Sequence, residues 1–115
     1  MTDKPHLDEE ALAELQDVMD DEFDVLIHTF LTDSRERIES LKLANSHQDA
    51  DALAHTAHSF KGSCINIGAP HLGELCREVE AAGKDHELER IPAIISAIES
   101  EFHQVSTMLE DLLVR

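Results

Sequence analysis

The feature that most constrains the fold of this chain is a helical spacing of apolar residues that recurs in five segments. In each segment apolar side chains return at i, i+3, i+4 and i+7, which places them on one face of an α-helix. The segments cover approximately residues 8–19, 22–44, 49–67, 70–82 and 88–113. No window alternates apolar and polar residues for long, so the sequence predicts an all-α protein without strands.

Residues with special backbone preferences mark where these helices should begin and end. Asp20 or Asp21 can cap the start of the second helix with a side-chain oxygen. Gly68 predicts the end of the third helix, because glycine readily adopts the left-handed conformation that follows many helices. Pro70 suits the first turn of the fourth helix, and Gly83 predicts its end.

Short connections between the last four helices predict how they pack. They favour an up-down-up-down four-helix bundle, with the first helix as an additional short N-terminal capping helix. The 115 residues suffice for one compact core and show no internal repeat, so residues 1–115 are predicted to form a single domain. Aromatic residues make up only 3%, without Trp or Tyr, and the core should therefore be aliphatic.

The charge of the chain argues against two classes of partner. With 25 acidic and 9 basic residues the formal net charge is -16, which repels nucleic acid and anionic membrane surfaces. The same charge also promotes solubility, and that alone can account for it. No leader or long apolar run is apparent, so we expect a cytoplasmic protein. Cys64 and Cys76 are expected to be buried thiols.

Eight histidines raise the possibility of a metal site, but their spacing does not favour one. No histidine follows a glutamate by three residues, and no two histidines are four residues apart. His55 and His58 lie one turn apart and would supply only two ligands. Nucleotide-binding glycine loops and the nucleophile elbow of hydrolases are also missing. We therefore expect no metal and no cofactor in this chain.

The third helix contains the residues with the most distinctive chemistry. His58 lies at the edge of the apolar stripe, with Lys61 one turn further on and Gly62 beside it at i+4. A glycine inside a helix costs about 1 kcal/mol relative to alanine, so Gly62 calls for a reason such as space beside the imidazole. The Lys61 charge would disfavour protonation of the ring and later offset a phosphoryl group. This combination suits a passive acceptor of phosphoryl groups.

Other interpretations of this segment stay open on these grounds alone. A histidine at a helix edge is most often only a solvated side chain, and His-x-x-Lys-Gly also occurs by chance. The bundle could bind a partner helix without being phosphorylated, or less plausibly hold a metal. His55 is the one rival to His58, but it has neither a lysine at i+3 nor a glycine at i+4.

At this point the chain resembles a known family, the histidine-containing phosphotransfer (HPt) domains of bacterial and eukaryotic phosphorelays. The resemblance extends from residue 7 to about residue 113. It is strongest in AHSFKGS at residues 57–63, followed by IGA at residues 67–69, and residues 23–31 look like the family's second helix. Phe60 departs from the more usual leucine but keeps a large apolar side chain. With no kinase or receiver domain in the sequence, the chain resembles a stand-alone, monomeric member.

The resemblance implies a role for each residue of the motif. His58 would be phosphorylated on Nε2, Lys61 would steady the phosphoryl oxygens, and Gly62 would give the partner room. The phosphoryl group would come from the receiver-domain aspartate of a hybrid sensor histidine kinase and go to the receiver domain of a response regulator. These receiver domains would supply the aspartate and Mg²⁺, so the chain would be a carrier and not an enzyme.

The turn between the second and third helices suggests where such a partner docks. Counting back from a turn at residues 45–48 sets His58 opposite Ser34 or Arg35. An apolar centre with a charged rim is typical of transient contacts. The predicted docking residues are Leu31, Arg35, His55 and Ile65. The alternative is that Leu31 and Ile65 belong to the core.

Overall fold

The computed structural model of the protein describes residues 4–113; residues 1–3 and 114–115 of the predicted domain lie outside it. Five α-helices account for most of the described chain. They are α1 (Glu9–Met19), α2 (Phe23–Ser46), α3 (Ala50–Ile67), α4 (Pro70–Lys84) and α5 (Ile91–Leu113). Short 3-10 turns at Asp20–Glu22 and Leu88–Arg90 lead into α2 and α5. No strand occurs between residues 4 and 113, so the all-α prediction is confirmed.

The contacts among the last four helices define the bundle. Helix α2 packs on α3, α3 packs on α4, α4 packs on α5, and α2 also packs on α5. This closes an up-down-up-down four-helix bundle, while α1 lies against α2 as the additional N-terminal helix. The core is mainly aliphatic, as the composition predicts, with fully buried Leu41, Leu53, Ile91 and Ile98 among its largest side chains. No helix within the described range is long and apolar enough to cross a membrane.

Most of the predicted helix ends are present. The Asp49 side chain accepts a hydrogen bond from the Ala52 N–H at the start of α3. Gly68 ends α3 with a φ of 85°, in the left-handed region that favours glycine. Pro70 occupies the first turn of α4. These two residues produce the tight turn that reverses the chain between α3 and α4.

The predicted cap of α2 is wrong. Neither Asp20 nor Asp21 caps α2 with its side chain, because both belong to the 3-10 turn that runs directly into the helix. The Phe23 N–H bonds to the Asp20 carbonyl, so the backbone of the turn satisfies a donor that a capping side chain would otherwise serve.

Gly83 does not end α4 but lies inside it, which corrects another prediction. It is buried, and α4 continues to Lys84. A Cβ at Gly83 would lie 2.9 Å from the Ala50 carbonyl oxygen and 3.1 Å from the Ala54 nitrogen. Glycine at this position therefore lets the backbones of α3 and α4 approach closely. This approach brings side chains of α4 within hydrogen-bonding distance of α3.

The two cysteines are free and fully buried between α3 and α4, as expected. The pKa of the Cys64 thiol is raised well above its usual range, first by a hydrogen bond with Cys76 and then by burial. Both thiols thus act as small core residues.

Candidate functional site

His58 lies on the exposed edge of α3, where the sequence pattern places it. Its side chain is 67% exposed, whereas Ala57 and Phe60 on the inner side of the helix are fully buried. Those two buried residues fix the rotation of α3, and the imidazole therefore faces outward from a rigid helix.

A buried carboxylate on α4 holds the inner side of the His58 ring. Glu80 is only 9% exposed, and its Oε2 lies 2.9 Å from Nδ1 of His58. The other oxygen, Oε1, accepts a hydrogen bond of 2.8 Å from the Lys61 ammonium. Lys84, one turn along α4, places its Nζ 3.2 Å from Oε2. Glu80 therefore joins one imidazole and two ammonium groups.

These cations keep Glu80 ionised. The hydrogen bond from Lys61 is the main cause that lowers the pKa of Glu80, with further contributions from Lys84 and His58. Burial acts in the opposite direction, and the net result is a pKa of about 2. At neutral pH the carboxylate is therefore negatively charged and can only accept hydrogen bonds.

An ionised Glu80 determines which tautomer the neutral His58 ring adopts. A carboxylate that only accepts requires Nδ1 of His58 to carry the proton and donate it. In the neutral ring the lone pair is then on Nε2, the nitrogen on the far side from Glu80. The site thus presents a nucleophilic nitrogen on a side chain that is two-thirds exposed.

Lys61 has a more complex environment than the sequence pattern implies. Its ammonium lies beside the site, as predicted, but it is bound to Glu80 and its charge is largely offset there. Lys61 is therefore not a lone cation next to His58, because the Glu80 carboxylate contacts both side chains. The contribution of Lys61 is to hold the carboxylate that orients the ring.

The space beside His58 is open, as the glycine predicts. A Cβ at Gly62 would meet no atom within 4 Å. Glycine is therefore not required at this position by packing within the chain. The absence of a side chain leaves room for another molecule next to the imidazole.

Two of the four predicted docking residues are in the wrong place. Leu31 is 3% exposed and belongs to the core. Arg35 lies over the Phe102 ring of α5, 5.8 Å from its centroid, and so faces the groove between α2 and α5. The residue of α2 that reaches the His58 helix is Arg37, which donates hydrogen bonds of 3.1 Å to Ser59 and Ser63.

The error has a simple geometric cause. Because α2 continues to Ser46, the turn into α3 lies later than assumed, and the register shifts toward Arg37. Arg35 and Arg37 are two residues apart, which corresponds to about 200° of rotation around α2. Arg37 therefore faces α3, whereas Arg35 faces the groove between α2 and α5. His55 and Ile65 are both exposed on α3, and Ile65 is 63% exposed. Only these two of the predicted docking residues share the outward side of α3 with His58.

Glu80 is the main site residue that the sequence pattern did not reveal. A signal was present, because Glu80 occupies a position on the apolar stripe of α4, one turn after Cys76 and beside Val79. A glutamate on the buried side of a helix needs a charged partner. The partner could not be inferred from spacing, since it depends on how closely α3 and α4 pack.

A buried anion, an oriented imidazole and an open approach on a four-helix bundle define a phosphotransfer module. The family model of the Hpt domain matches residues 25–113, and the chain belongs to this family, whose members are histidine phosphotransfer proteins of phosphorelay signalling. Hpt domains are carriers and not catalysts, and they work with receiver domains.

The comparison with solved structures agrees with this assignment. The chain is similar to histidine-containing phosphotransfer protein B (HptB) from Pseudomonas aeruginosa PAO1, whose crystal structure matches with a TM-score of 0.91. The two sequences are 48% identical, and the match covers 93% of each chain. No curated protein sequence matches this chain.

Proposed function

We propose that His58 is the residue that carries the phosphoryl group, on Nε2. The observation that carries this proposal is the 2.9 Å contact between Nδ1 of His58 and the buried Glu80 carboxylate. It orients an exposed ring so that the lone pair is on the outer nitrogen. The family resemblance supplies the rest of the proposal: the donor is the receiver-domain aspartate of a hybrid sensor histidine kinase, and the acceptor is the receiver domain of a response regulator.

The first transfer forms one N–P bond on His58 and breaks one P–O bond of the aspartyl phosphate. The Nε2 lone pair of His58 attacks the phosphorus of the aspartyl phosphate, and the P–O bond breaks with its electron pair left on the aspartate. The ring, still protonated on Nδ1, gains positive charge that the Glu80 carboxylate offsets. The partner receiver domain supplies the aspartate and Mg²⁺. In the second transfer the same steps run in reverse toward a new aspartate.

Lys61 and Gly62 serve this step in different ways. Lys61 holds Glu80 in place and provides an ammonium group close to the incoming phosphoryl oxygens. Gly62 leaves the surface beside the imidazole clear, so that the partner backbone can bring its aspartate within bonding distance. Neither residue moves a proton, and the chain acts as a carrier.

The proposal includes a monomer in the cytoplasm. Two free thiols, Cys64 and Cys76, suit a reducing compartment. Within residues 4–113 the helices of the bundle bury one another's apolar faces in a single chain, which favours a monomer. Sedimentation of the purified protein at several concentrations tests the monomeric state.

The decisive experiment compares two histidines on the same helix. A receiver domain carrying ³²P on its aspartate is mixed with the wild-type chain, with His58→Gln or with His55→Gln. We expect label on the wild type and on His55→Gln, and none on His58→Gln. His55 is a matched control for the acceptor because it is exposed one turn earlier on α3. Its substitution can change the rate of transfer but leaves His58 in place to take the label.

Two outcomes would contradict the proposal. Label on His58→Gln at the wild-type rate would place the phosphoryl group elsewhere. A wild-type chain that never accepts label from any receiver domain of its host would instead favour an interaction bundle that binds partners without being phosphorylated.

A further inference from the structure

The helix that carries His58 lies in an unusual stretch of the sequence. Residues 52–73 contain no Asp or Glu, although 25 of the 115 residues are acidic. This stretch is more than twice as long as any other acid-free stretch in the chain. It includes nearly all of α3 and the first turn of α4. In a strongly acidic protein, the helix that carries His58 therefore contributes no carboxylate after Asp51.

The outward side of α3 forms a continuous strip, which we call the α3 face. It consists of His55, His58, Gly62 and Ile65, which follow one another at helical spacing. Ile65 is 63% exposed, one of few large apolar side chains that the described surface leaves so open. The α3 face thus combines an apolar patch with the phosphotransfer histidine and carries no acidic residue.

A shallow groove between α3 and α4 borders the α3 face at Ile65. Its lining includes Lys4, Lys61, Ile65, Gly73, Glu74 and Arg77. The Lys4 ammonium lies 3.1 Å from Glu74 Oε1, and Arg77 binds the other oxygen of the same carboxylate.

The segment before α1 holds Lys4 at this groove. The Pro5 carbonyl accepts a hydrogen bond from the His71 N–H, and the Asp8 N–H donates to the Gly68 carbonyl. Leu7 is buried between these two contacts. The N-terminal segment therefore contributes a cation to the groove that borders the α3 face at Ile65.

Several cations lie around this surface. Glu74 has two cationic partners, Lys4 and Arg77, and Glu80 likewise has Lys61 and Lys84. Arg37 adds a further positive charge at Ser59 and Ser63 of α3. Glu78 also lies close to Arg77. Five of the nine basic residues thus lie at or beside this surface, in a chain that has 25 acidic residues.

We propose that the α3 face and its adjoining groove form a docking surface for an acidic surface of the receiver domain. The inference rests on the proposed function, because the partner must bring an anionic aspartyl phosphate against His58. Opposite charges at this one surface, and repulsion from the rest of the chain, orient the encounter so that the aspartate approaches His58. Ile65 supplies the apolar contact beside the charged rim.

Two arginines provide a matched test of this surface. Arg77 and Arg90 are both largely exposed, and each pairs with a glutamate three residues earlier on its own helix or turn. Only Arg77 lies at the groove, so Arg77→Glu and Arg90→Glu change the net charge equally but at different places. The measurement is the second-order rate of phosphoryl transfer from a labelled receiver domain, at low and at high salt.

We expect Arg77→Glu to slow transfer about fivefold at roughly 50 mM salt, while Arg90→Glu stays within about twofold of the wild type. At about 500 mM salt the screening length falls from roughly 14 Å to roughly 4 Å, and the difference should shrink. The maximal rate with saturating receiver should not change, because Arg77 does not contact the reacting atoms.

A second pair of variants adds charge without altering shape. Asn66→Asp places an acid in the acid-free stretch, and Gln104→Glu places one on the exposed side of α5. We expect only Asn66→Asp to slow transfer at low salt, by about twofold. Thermal unfolding of each variant checks that the fold is retained.

The possible failures are distinguishable. If Arg90→Glu slows transfer as much as Arg77→Glu, only the total charge matters and the docking surface is refuted. If Arg77→Glu matches the wild type while His58→Gln abolishes labelling, the proposed function stands and this inference alone is wrong. If His58→Gln still accepts label, the proposed function itself fails, and the docking inference falls with it.

Discussion

Replacing Glu80 with glutamine tests the arrangement at the centre of the site. The pKa of Glu80 is lowered from 4.5 to about 2, which corresponds to about 3 kcal/mol in favour of the ionised form in the folded state. Glutamine has nearly the same size but no charge. Lys61 and Lys84 are 25% and 67% exposed, and solvent therefore reduces the expected loss to about 2 kcal/mol. For a domain of this size that lowers the melting temperature by about 8 °C.

The pH dependence of this loss separates charge from packing. A carboxyl whose pKa is lowered on folding stabilises the protein above its unfolded value of 4.5 and loses that effect as the pH falls toward about 2. The difference in unfolding free energy between wild type and Glu80→Gln should therefore fall by about half between pH 7 and pH 3. Denaturant unfolding at a series of pH values measures it. A difference that stays constant down to pH 3 would refute the electrostatic argument.

The same variant should also change the imidazole of His58. An amide can present either its oxygen or its NH₂ group to Nδ1, so the ring is no longer held in one tautomer. Nitrogen NMR of the neutral ring should show the proton on Nδ1 in the wild type and a mixture in Glu80→Gln. Phosphoryl transfer should slow by about tenfold, by analogy with partners that orient metal-binding histidines. An unchanged tautomer with slowed transfer would assign Glu80 a different role.

Three further substitutions probe the parts of the fold that support the site. Gly62→Gln should slow phosphoryl transfer by crowding the approach to His58, while raising helix stability by several tenths of a kcal/mol. Transfer kinetics and thermal melting measure the two effects, and an unchanged rate would mean that the partner does not use the space beside His58. Gly83→Ala should lower the free energy of unfolding by about 1–3 kcal/mol, because its Cβ would lie 2.9 Å from the Ala50 carbonyl oxygen. The resulting separation of α3 from α4 should also slow transfer, and wild-type stability would contradict this. Leu31→Ala should cost about 2–4 kcal/mol in chemical unfolding yet leave transfer by the remaining folded protein unchanged, in contrast to the docking role first predicted for it.

The helical pattern was sufficient to predict the architecture because each helix buries one continuous stripe. Local signals such as Gly68 and Pro70 act through their own backbone and were interpreted correctly. The role of Gly83 was not predicted correctly, since it depends on the backbone of α3, whose Ala50 carbonyl oxygen would lie 2.9 Å from a Cβ at this position. Sequence spacing carries no information about that distance. The predicted side-chain cap of α2 is wrong because the backbone of a 3-10 turn, and not an aspartate side chain, accepts the hydrogen bond at the start of the helix.

The site was predictable where its residues share one helix. His58, Lys61 and Gly62 follow one another on α3, where the structure leaves His58 exposed and Lys61 and Gly62 half-buried beside it. Glu80 comes from the neighbouring helix, and its contacts depend on the interhelical distance. A count of residues across the turn predicts Arg35 opposite His58, but a shift of two residues in the turn is enough to place Arg35 in the other groove, over Phe102. Contacts between helices are therefore where inference from one sequence loses accuracy.

The pairing of Glu80 with two lysines also bears on how easily the phosphoryl group leaves again. With His58 as the carrier, as proposed, the modified ring must compete with a fixed carboxylate for the ammonium groups of Lys61 and Lys84. The negative charge of that carboxylate also opposes the phosphoryl group across the ring. The same carboxylate offsets the positive charge of the ring, so its effects on the phosphorylated state partly cancel. A site whose charges act in both directions does not hold the phosphoryl group tightly, and with His58 as the carrier the supply of partners would decide which way the group moves.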